Sequence, residues 1–231
     1  MYACGHRFLS LSLVLHLSLS LMGTSGLTSL EMLALNDNSL GPDLPESLGS
    51  LSALLALDLS DNKLLALPNR LGDLPVLKHL WLARNVLEAL PESLAQLSSL
   101  ETLHVHENKI ERLPGMGGLK KLRTLTIARN NLENIPPSFR GLTALERLTM
   151  DHNVTIMAIE MGGQPFTELV SLAAMTIDRF VFDQVDKKHQ AWLSANVGEL
   201  SVMRTAVSKG KMKALLFGGD EKKGAEEEPA E

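Results

Sequence analysis

The sequence predicts an α/β solenoid in which short parallel strands stack side by side into one sheet. Three observations lead to this prediction. Leucines recur at fixed positions from Leu54 to Leu74 and again, shifted by 23 residues, from Leu77 to Leu97. Each unit also carries an asparagine after its second leucine pair and a proline further along. Self-similarity at a fixed period of this length is typical of stacked repeat proteins.

Each repeat is expected to form one strand and one return segment. Leucines such as Leu57 and Leu59 point inward along the strand, and the residues between them point to the opposite face. The short amide of asparagine can bond to local and neighbouring backbone at a buried bend. We therefore expect a structural ladder formed by Asn38, Asn62, Asn85, Asn108, Asn130 and Asn153.

The repeat, written LxxLxLxxNxLxxLPxxLxxL, resembles the leucine-rich repeat family over about two thirds of the chain. The 23-residue form with Leu-Pro is most similar to the intracellular Ras-group members of that family. Residues 30–51, which contain NDNSLGPDLPESLGSL, resemble the plant-type variant instead. The resemblance implies a right-handed curved superhelix with its parallel β-sheet on the concave face, where family members usually bind their partners.

The period divides the chain into four parts. We predict a signal-peptide-like leader or N-terminal cap over 1–26, repeats (six clear, one degenerate) over 27–182, a helical C-terminal cap over 183–217 and an acidic disordered tail over 218–231. In the cap, Trp192, Val197, Leu200 and Met203 fall near helical spacing. The tail carries a net charge of −4 of the chain's −5.

The leader has two interpretations. Arg7 precedes a leucine-rich run from Phe8 to Met22, and small residues follow, as in a secretory signal peptide. The run is shorter than the roughly 20 residues of a membrane span. Leucine and serine also alternate strictly in it, which favours a strand that covers the first repeat. The sequence leaves both open.

Composition narrows the function. The negative net charge gives no reason to expect nucleic-acid binding. The single cysteine, Cys4, allows no intrachain disulfide, which favours the reducing cytoplasm. Secretion is the alternative if residues 1–25 are cleaved. We expect a monomer without a cofactor, and no contact with a membrane.

The strand register places polar side chains and one tryptophan on the concave face. Trp81 lies beside His104 in this register, and tryptophan is enriched at binding hot spots. The sequence therefore predicts a non-catalytic scaffold that captures a protein partner, and the Ras-group resemblance implies a role in intracellular signalling. The predicted binding surface comprises Trp81, His79, His104, His106, Arg84, Arg129, Arg147, Thr126 and Thr149.

The sequence suggests two further hypotheses about the residues of the concave face. A metal or enzymatic site at His79, His104 and His106 is a minor alternative, because ligands on a flat sheet do not converge as zinc requires. The alternating charges of Arg84, Glu107 and Arg129 predict a surface ion-pair row. Secreted or receptor-derived recognition is the other alternative function. We predict that the protein is not an enzyme.

Overall fold

The computed structural model describes residues 8–10, 27–153, 174–178 and 187–203. Nine strands form one parallel sheet in which each strand pairs with the next in chain order. The strands are β1 (Phe8–Ser10), β2 (Met32–Ala34), β3 (Ala56–Asp58), β4 (His79–Trp81), β5 (Thr102–His104), β6 (Thr124–Thr126), β7 (Arg147–Thr149), β8 (Ala174–Asp178) and β9 (Glu199–Met203). The predicted solenoid with a parallel sheet is confirmed.

The leucines of successive repeats share one core. The pairing aligns Leu57 with Leu80 and Leu80 with Leu103, and all three side chains are fully buried. The same register continues from Leu148 to Met175, which is also buried. A single repeat cannot bury its leucines, so the core stabilises the fold only when several repeats stack.

The return segments form short 3-10 helices after a proline. Their bounds are Glu46–Ser50, Asn69–Asp73, Glu92–Gln96 and Pro137–Gly141. The proline before each of these four helices holds an extended backbone at the helix start, for example φ −68° and ψ 145° at Pro91. In the shorter repeat after Pro114, Gly117 and Gly118 form a turn instead.

Residues 8–10 of the predicted leader form a strand. Phe8 pairs with Met32 and Leu9 with Leu33 in the same parallel register as the repeats. The cleavage of the leader stays a prediction.

Of the region predicted as a helical cap, the described residues 187–203 are only partly helical. The helix α1 covers Lys187–Asn196, but residues 199–203 form β9, so the prediction of a helix there was wrong. Val197, Leu200 and Val202 have the same spacing as Leu145, Leu148 and Met150, and Val197 is buried in the shared core. Pairing with β8 satisfies backbone groups that a helix would leave at the sheet edge. The predicted acidic tail over 218–231 lies outside the described residues.

Candidate functional site

The concave face is a row of laterally paired side chains. Parallel pairing puts Asp58 beside Trp81 and Trp81 beside His104, in the middle of the sheet. Neighbouring strands lie about 4.8 Å apart, so these side chains are direct neighbours. All three are half-buried. The face therefore offers an aromatic ring between a carboxylate and an imidazole.

Trp81 is held in place by its own strand. Its ring stacks on that of His79, with centroids 5.5 Å apart and an interplanar angle of 15°. His79 in turn shares a hydrogen bond of 3.2 Å between Nδ1 and the Thr102 hydroxyl of the next strand. One face of the indole is thus covered by an anchored imidazole.

The six strands β2 to β7 are each followed by a corner with a left-handed backbone. The residue before each ladder asparagine has a φ between 54° and 59°, although none of these residues is glycine. They are Asp37, Asp61, Arg84, Glu107, Arg129 and His152. This conformation costs a non-glycine residue roughly 1–2 kcal/mol, so the asparagine that follows must hold the chain there.

Five of the six ladder asparagines bind their corner to the preceding repeat, and Asn38 donates to the carbonyls of Leu35 and Asn36 in its own repeat. Asn85 Nδ2 donates to the carbonyl of Leu82 at 3.1 Å and to that of Leu59, one repeat earlier, at 2.9 Å. Its Oδ1 accepts the Leu64 N–H at 3.1 Å. Four other asparagines form the same pattern, in which Oδ1 accepts one backbone N–H and Nδ2 donates to carbonyls of its own repeat and of the preceding one. They are Asn62, Asn108, Asn130 and Asn153. The corners therefore sit at fixed positions along the sheet.

One ion pair joins the corner residues of two successive repeats. Arg84 donates through Nε and Nη2 to the two carboxylate oxygens of Asp61 in the previous repeat. This bidentate hydrogen bond lowers the pKa of Asp61. Within the described residues Glu107 and Arg129 have no ion-pair partner, so the predicted row through Arg84, Glu107 and Arg129 was wrong. Arg84 reaches back to Asp61 because a planar guanidinium matches a carboxylate edge.

A hollow of about 290 Å³ opens beside Trp81. Its floor is formed by Ser60 and Ala83, which are small and almost completely buried. Trp81, Asp58, Asn36 and the two histidines His104 and His106 surround the floor, and Asp61 and Arg84 complete the lining. The hollow exists because two small residues share a column with the larger His106 in the next repeat.

The two histidines of the hollow are shifted towards their neutral forms. Partial burial lowers the pKa of His104, and the neighbouring His106 lowers it further while Asp58 opposes the shift. Burial also lowers the pKa of His106, against the opposing charge of Glu107. The ring centroids lie 6.1 Å apart. His106 Nδ1 also lies 3.2 Å from the Thr126 hydroxyl, with which it shares a hydrogen bond.

The structure brings together only some of the predicted site residues. Trp81, Arg84, His104 and His106 line the hollow, and His79 supports Trp81 from outside it. The remaining predicted residues do not line the hollow. Thr126, on β6, shares a hydrogen bond with His106, which does line it. Arg129, Arg147 and Thr149 lie further along the chain, after β6 or on β7.

Sequence reasoning did not include the acidic side and the floor of the hollow in the site. Asp58 lies next to Trp81 in the strand register, so its position was readable from the sequence. Asp61 becomes part of the site through its bond to Arg84, and Ser60 and Ala83 through their small size. The signal in the sequence was that Ser60 and Ala83, two small residues, occupy the same position of successive repeats, two residues after Asp58 and Trp81.

No group of three or more His, Cys, Asp or Glu side chains is placed to hold a metal ion in the described part of the chain. Residues 27–153 and the other described segments likewise contain no helix of the length and apolarity needed to cross a membrane.

Comparison with known proteins supports the repeat architecture. A family model described as a leucine-rich repeat region matches residues 69–214, more than half of the chain. No curated protein sequence matches it. Solved structures of similar fold include a leucine-rich repeat protein of Leptospira interrogans (20% identity, TM-score 0.47, 82% of this chain covered) and the plant peptide hormone receptor RGFR1 in complex with RGF2 (23% identity, TM-score 0.54, 76% of this chain covered). The chain spans 53% and 28% of the lengths of those proteins.

Proposed function

Because the chain belongs to the leucine-rich repeat family, we propose that it is a non-catalytic scaffold that captures a protein partner on its concave face. The observation that carries this proposal is the position of Trp81. Its ring is half-buried in the middle of the sheet and stands beside an open hollow rather than inside the leucine core.

The surroundings of Trp81 suit a binding anchor. Hot spots combine a large aromatic side chain with polar groups that surround it and exclude water. Here the polar groups are Asp58, His104 and the ion pair of Arg84 with Asp61. The stack on His79 reduces the side-chain freedom that a partner would otherwise have to restrict on binding.

The proposal is tested with Trp81→Ala and a matched control. Immobilised wild type and both variants are used to capture proteins from a cell extract, and the captured partner is then titrated against each. Leu65→Ala is the control, because Leu65 is an apolar residue that is 43% exposed and lies in a return segment rather than on the concave face. Trp81→Ala should weaken binding by about 30-fold, the effect of a hot-spot residue.

The melting temperature should change little in either variant, because neither side chain belongs to the leucine core. Equal binding by Trp81→Ala and wild type, or an equal loss in Leu65→Ala, would contradict the proposal.

We also propose a cytoplasmic location and a role in intracellular signalling, for which the Ras-group likeness and the single cysteine are the support. The pairing of Phe8 with Met32 adds to it, since it gives residues 8–10 a place in the folded sheet. The free protein is proposed to be a monomer, which sedimentation would measure.

The second candidate is a secreted or receptor-derived recognition protein. It is favoured by the basic residue and leucine run at the start of the chain and by the plant-type first repeat. Mass spectrometry of the mature N-terminus separates the two. Cleavage near Ser25 supports secretion, and an intact N-terminus in the cytosol supports the scaffold.

A further inference from the structure

The hollow beside Trp81 carries an excess of negative charge. Two carboxylates, Asp58 and Asp61, and one guanidinium, Arg84, line it. Arg84 is already bound to Asp61 through two hydrogen bonds, so its charge is offset by that carboxylate. The carboxylate that remains for a ligand is that of Asp58.

Asp58 has little else to neutralise it. Its Oδ1 accepts the backbone N–H of Ser60 at 3.0 Å, and it forms no ion pair with any residue that the structure describes. It is half-buried at the side of the hollow next to Trp81. A carboxylate in this position attracts a cation more strongly than one on an open surface, because less water screens it.

Trp81 offers the second element of a cation site. The indole lines the hollow while His79 does not, so the hollow lies on the side of the indole that His79 leaves uncovered. The face of a tryptophan is the aromatic surface that attracts ammonium and guanidinium groups best. A cation placed there would contact the ring and the Asp58 carboxylate together.

The histidines do not oppose a cation near neutral pH. Burial shifts the pKa of both His104 and His106 downward, which leaves the rings uncharged.

The volume of the hollow indicates the size of the group that it can bind. About 290 Å³ lies near the lower end of small-ligand sites, which suits one side chain rather than a large cofactor.

We infer that the hollow receives an arginine or lysine side chain of the protein partner, with the cationic group over Trp81 and against the Asp58 carboxylate. This inference rests on the proposed function and specifies the chemistry of its central contact. The opposite assignment, a carboxylate of the partner bound to Arg84, would place a third carboxylate in the hollow beside Asp58 and Asp61 and leave Asp58 without a cation.

The test uses three capped tripeptides as probes: acetyl-Gly-Arg-Gly-amide, its citrulline analogue and its glutamate analogue. Citrulline keeps the shape of arginine without the charge. Binding is followed by NMR at the indole N–H of Trp81, which is identified as the resonance lost in Trp81→Phe. The arginine peptide should shift it saturably at concentrations of about 10 mM, and the other two should not.

Two variants locate the contact. Asp58→Asn should weaken binding of the arginine peptide about fivefold or more. Asp37→Asn, at an exposed acidic corner residue that does not line the hollow, should leave binding of the arginine peptide unchanged. An equal shift with citrulline, a stronger shift with glutamate, no shift with about 50 mM arginine peptide, or unaltered binding by Asp58→Asn would overturn the inference.

Failure here is separable from failure of the scaffold role. If Trp81→Ala loses the partner while the arginine peptide causes no shift, the concave face binds a partner through other chemistry. If the arginine peptide binds as expected but Trp81→Ala captures the partner normally, the subsite exists and the scaffold proposal is wrong.

Discussion

The indole of Trp81 and the imidazole of His79 stack two residues apart on one strand, with centroids 5.5 Å apart and planes inclined by 15°. Both side chains project from the concave face because residues i and i+2 of a strand point the same way. Since the hydroxyl of Thr102 also fixes the imidazole, the orientation of Trp81 is prepared before any partner arrives.

Removal of that support should weaken binding without unfolding the protein. We predict that His79→Ala lowers partner affinity about threefold to tenfold, because a stacked aromatic pair is worth about 0.5–1.5 kcal/mol. Without the imidazole, that energy no longer holds the Trp81 ring in its bound orientation. His79→Phe keeps a stacked ring and should retain most of the affinity. Titration of both variants with the captured partner checks this, and equal affinities for His79→Ala and wild type would speak against a positioning role.

Stability should fall as the solution becomes acidic, starting near pH 6.5. His104 and His106 have lowered pKa values in the folded protein, mainly through burial, so the unfolded chain binds protons more readily. Their contribution is fully present above the ordinary histidine pKa of about 6.5 and is lost as the pH falls through the folded values. The melting temperature should therefore drop between pH 8 and pH 5.5.

The double variant His104→Gln/His106→Gln should reduce this slope. Asp61 contributes only in a more acidic window, because its folded pKa is lowered from a carboxyl value near 4. An unchanged slope in the double variant would assign the pH dependence to other groups.

Loss of a single ladder asparagine should be costly. Asn85→Ala leaves the Leu64 N–H and the carbonyls of Leu59 and Leu82 without these partners in a buried corner. We expect a decrease of about 2–4 kcal/mol in the free energy of unfolding, measured with urea. Asn131→Ala, at an exposed position, is the control and should change the free energy by less than about 0.5 kcal/mol.

The spacing of the return segments should depend on glycines at close contacts between repeats, of which Gly72 is one. A Cβ atom at Gly72 would lie 2.3 Å from the carbonyl oxygen of Ser93 in the next repeat, so Gly72→Ala must force two repeats apart. The expected loss is about 1–3 kcal/mol, as for other overpacked sites. Gly115→Ala is the matched control, because a Cβ there meets nothing within 4 Å. Equal stability of the two variants would show that the repeats tolerate a wider spacing.

The fold was predictable from the sequence because the same pattern of leucines and asparagines recurs in each clear repeat. Leu57, Leu80 and Leu103 recur in the same context, and the structure buries all three in one register. Where the pattern weakens, prediction became less accurate. Leu200 fits both a helical and a strand spacing, and only the open edge of β8 decides between them.

The candidate site was less predictable for a different reason. Strand register places Asp58, Trp81 and His104 in a row, which the sequence does contain. The depth of the hollow depends on the sizes of side chains in a neighbouring column, and the bond from Arg84 to Asp61 depends on the direction of a long flexible side chain. Neither follows from spacing alone.

The left-handed corners separate the requirements of folding from those of recognition. The asparagine behind each corner fixes the backbone, so the side chain in front of it is not needed to hold the turn. Acidic, basic and imidazole groups all occupy that position with nearly the same φ. The residue at each corner can therefore be replaced by one of different charge in any single repeat. Such replacements would change which partner the surface binds and leave the backbone of the solenoid unaltered.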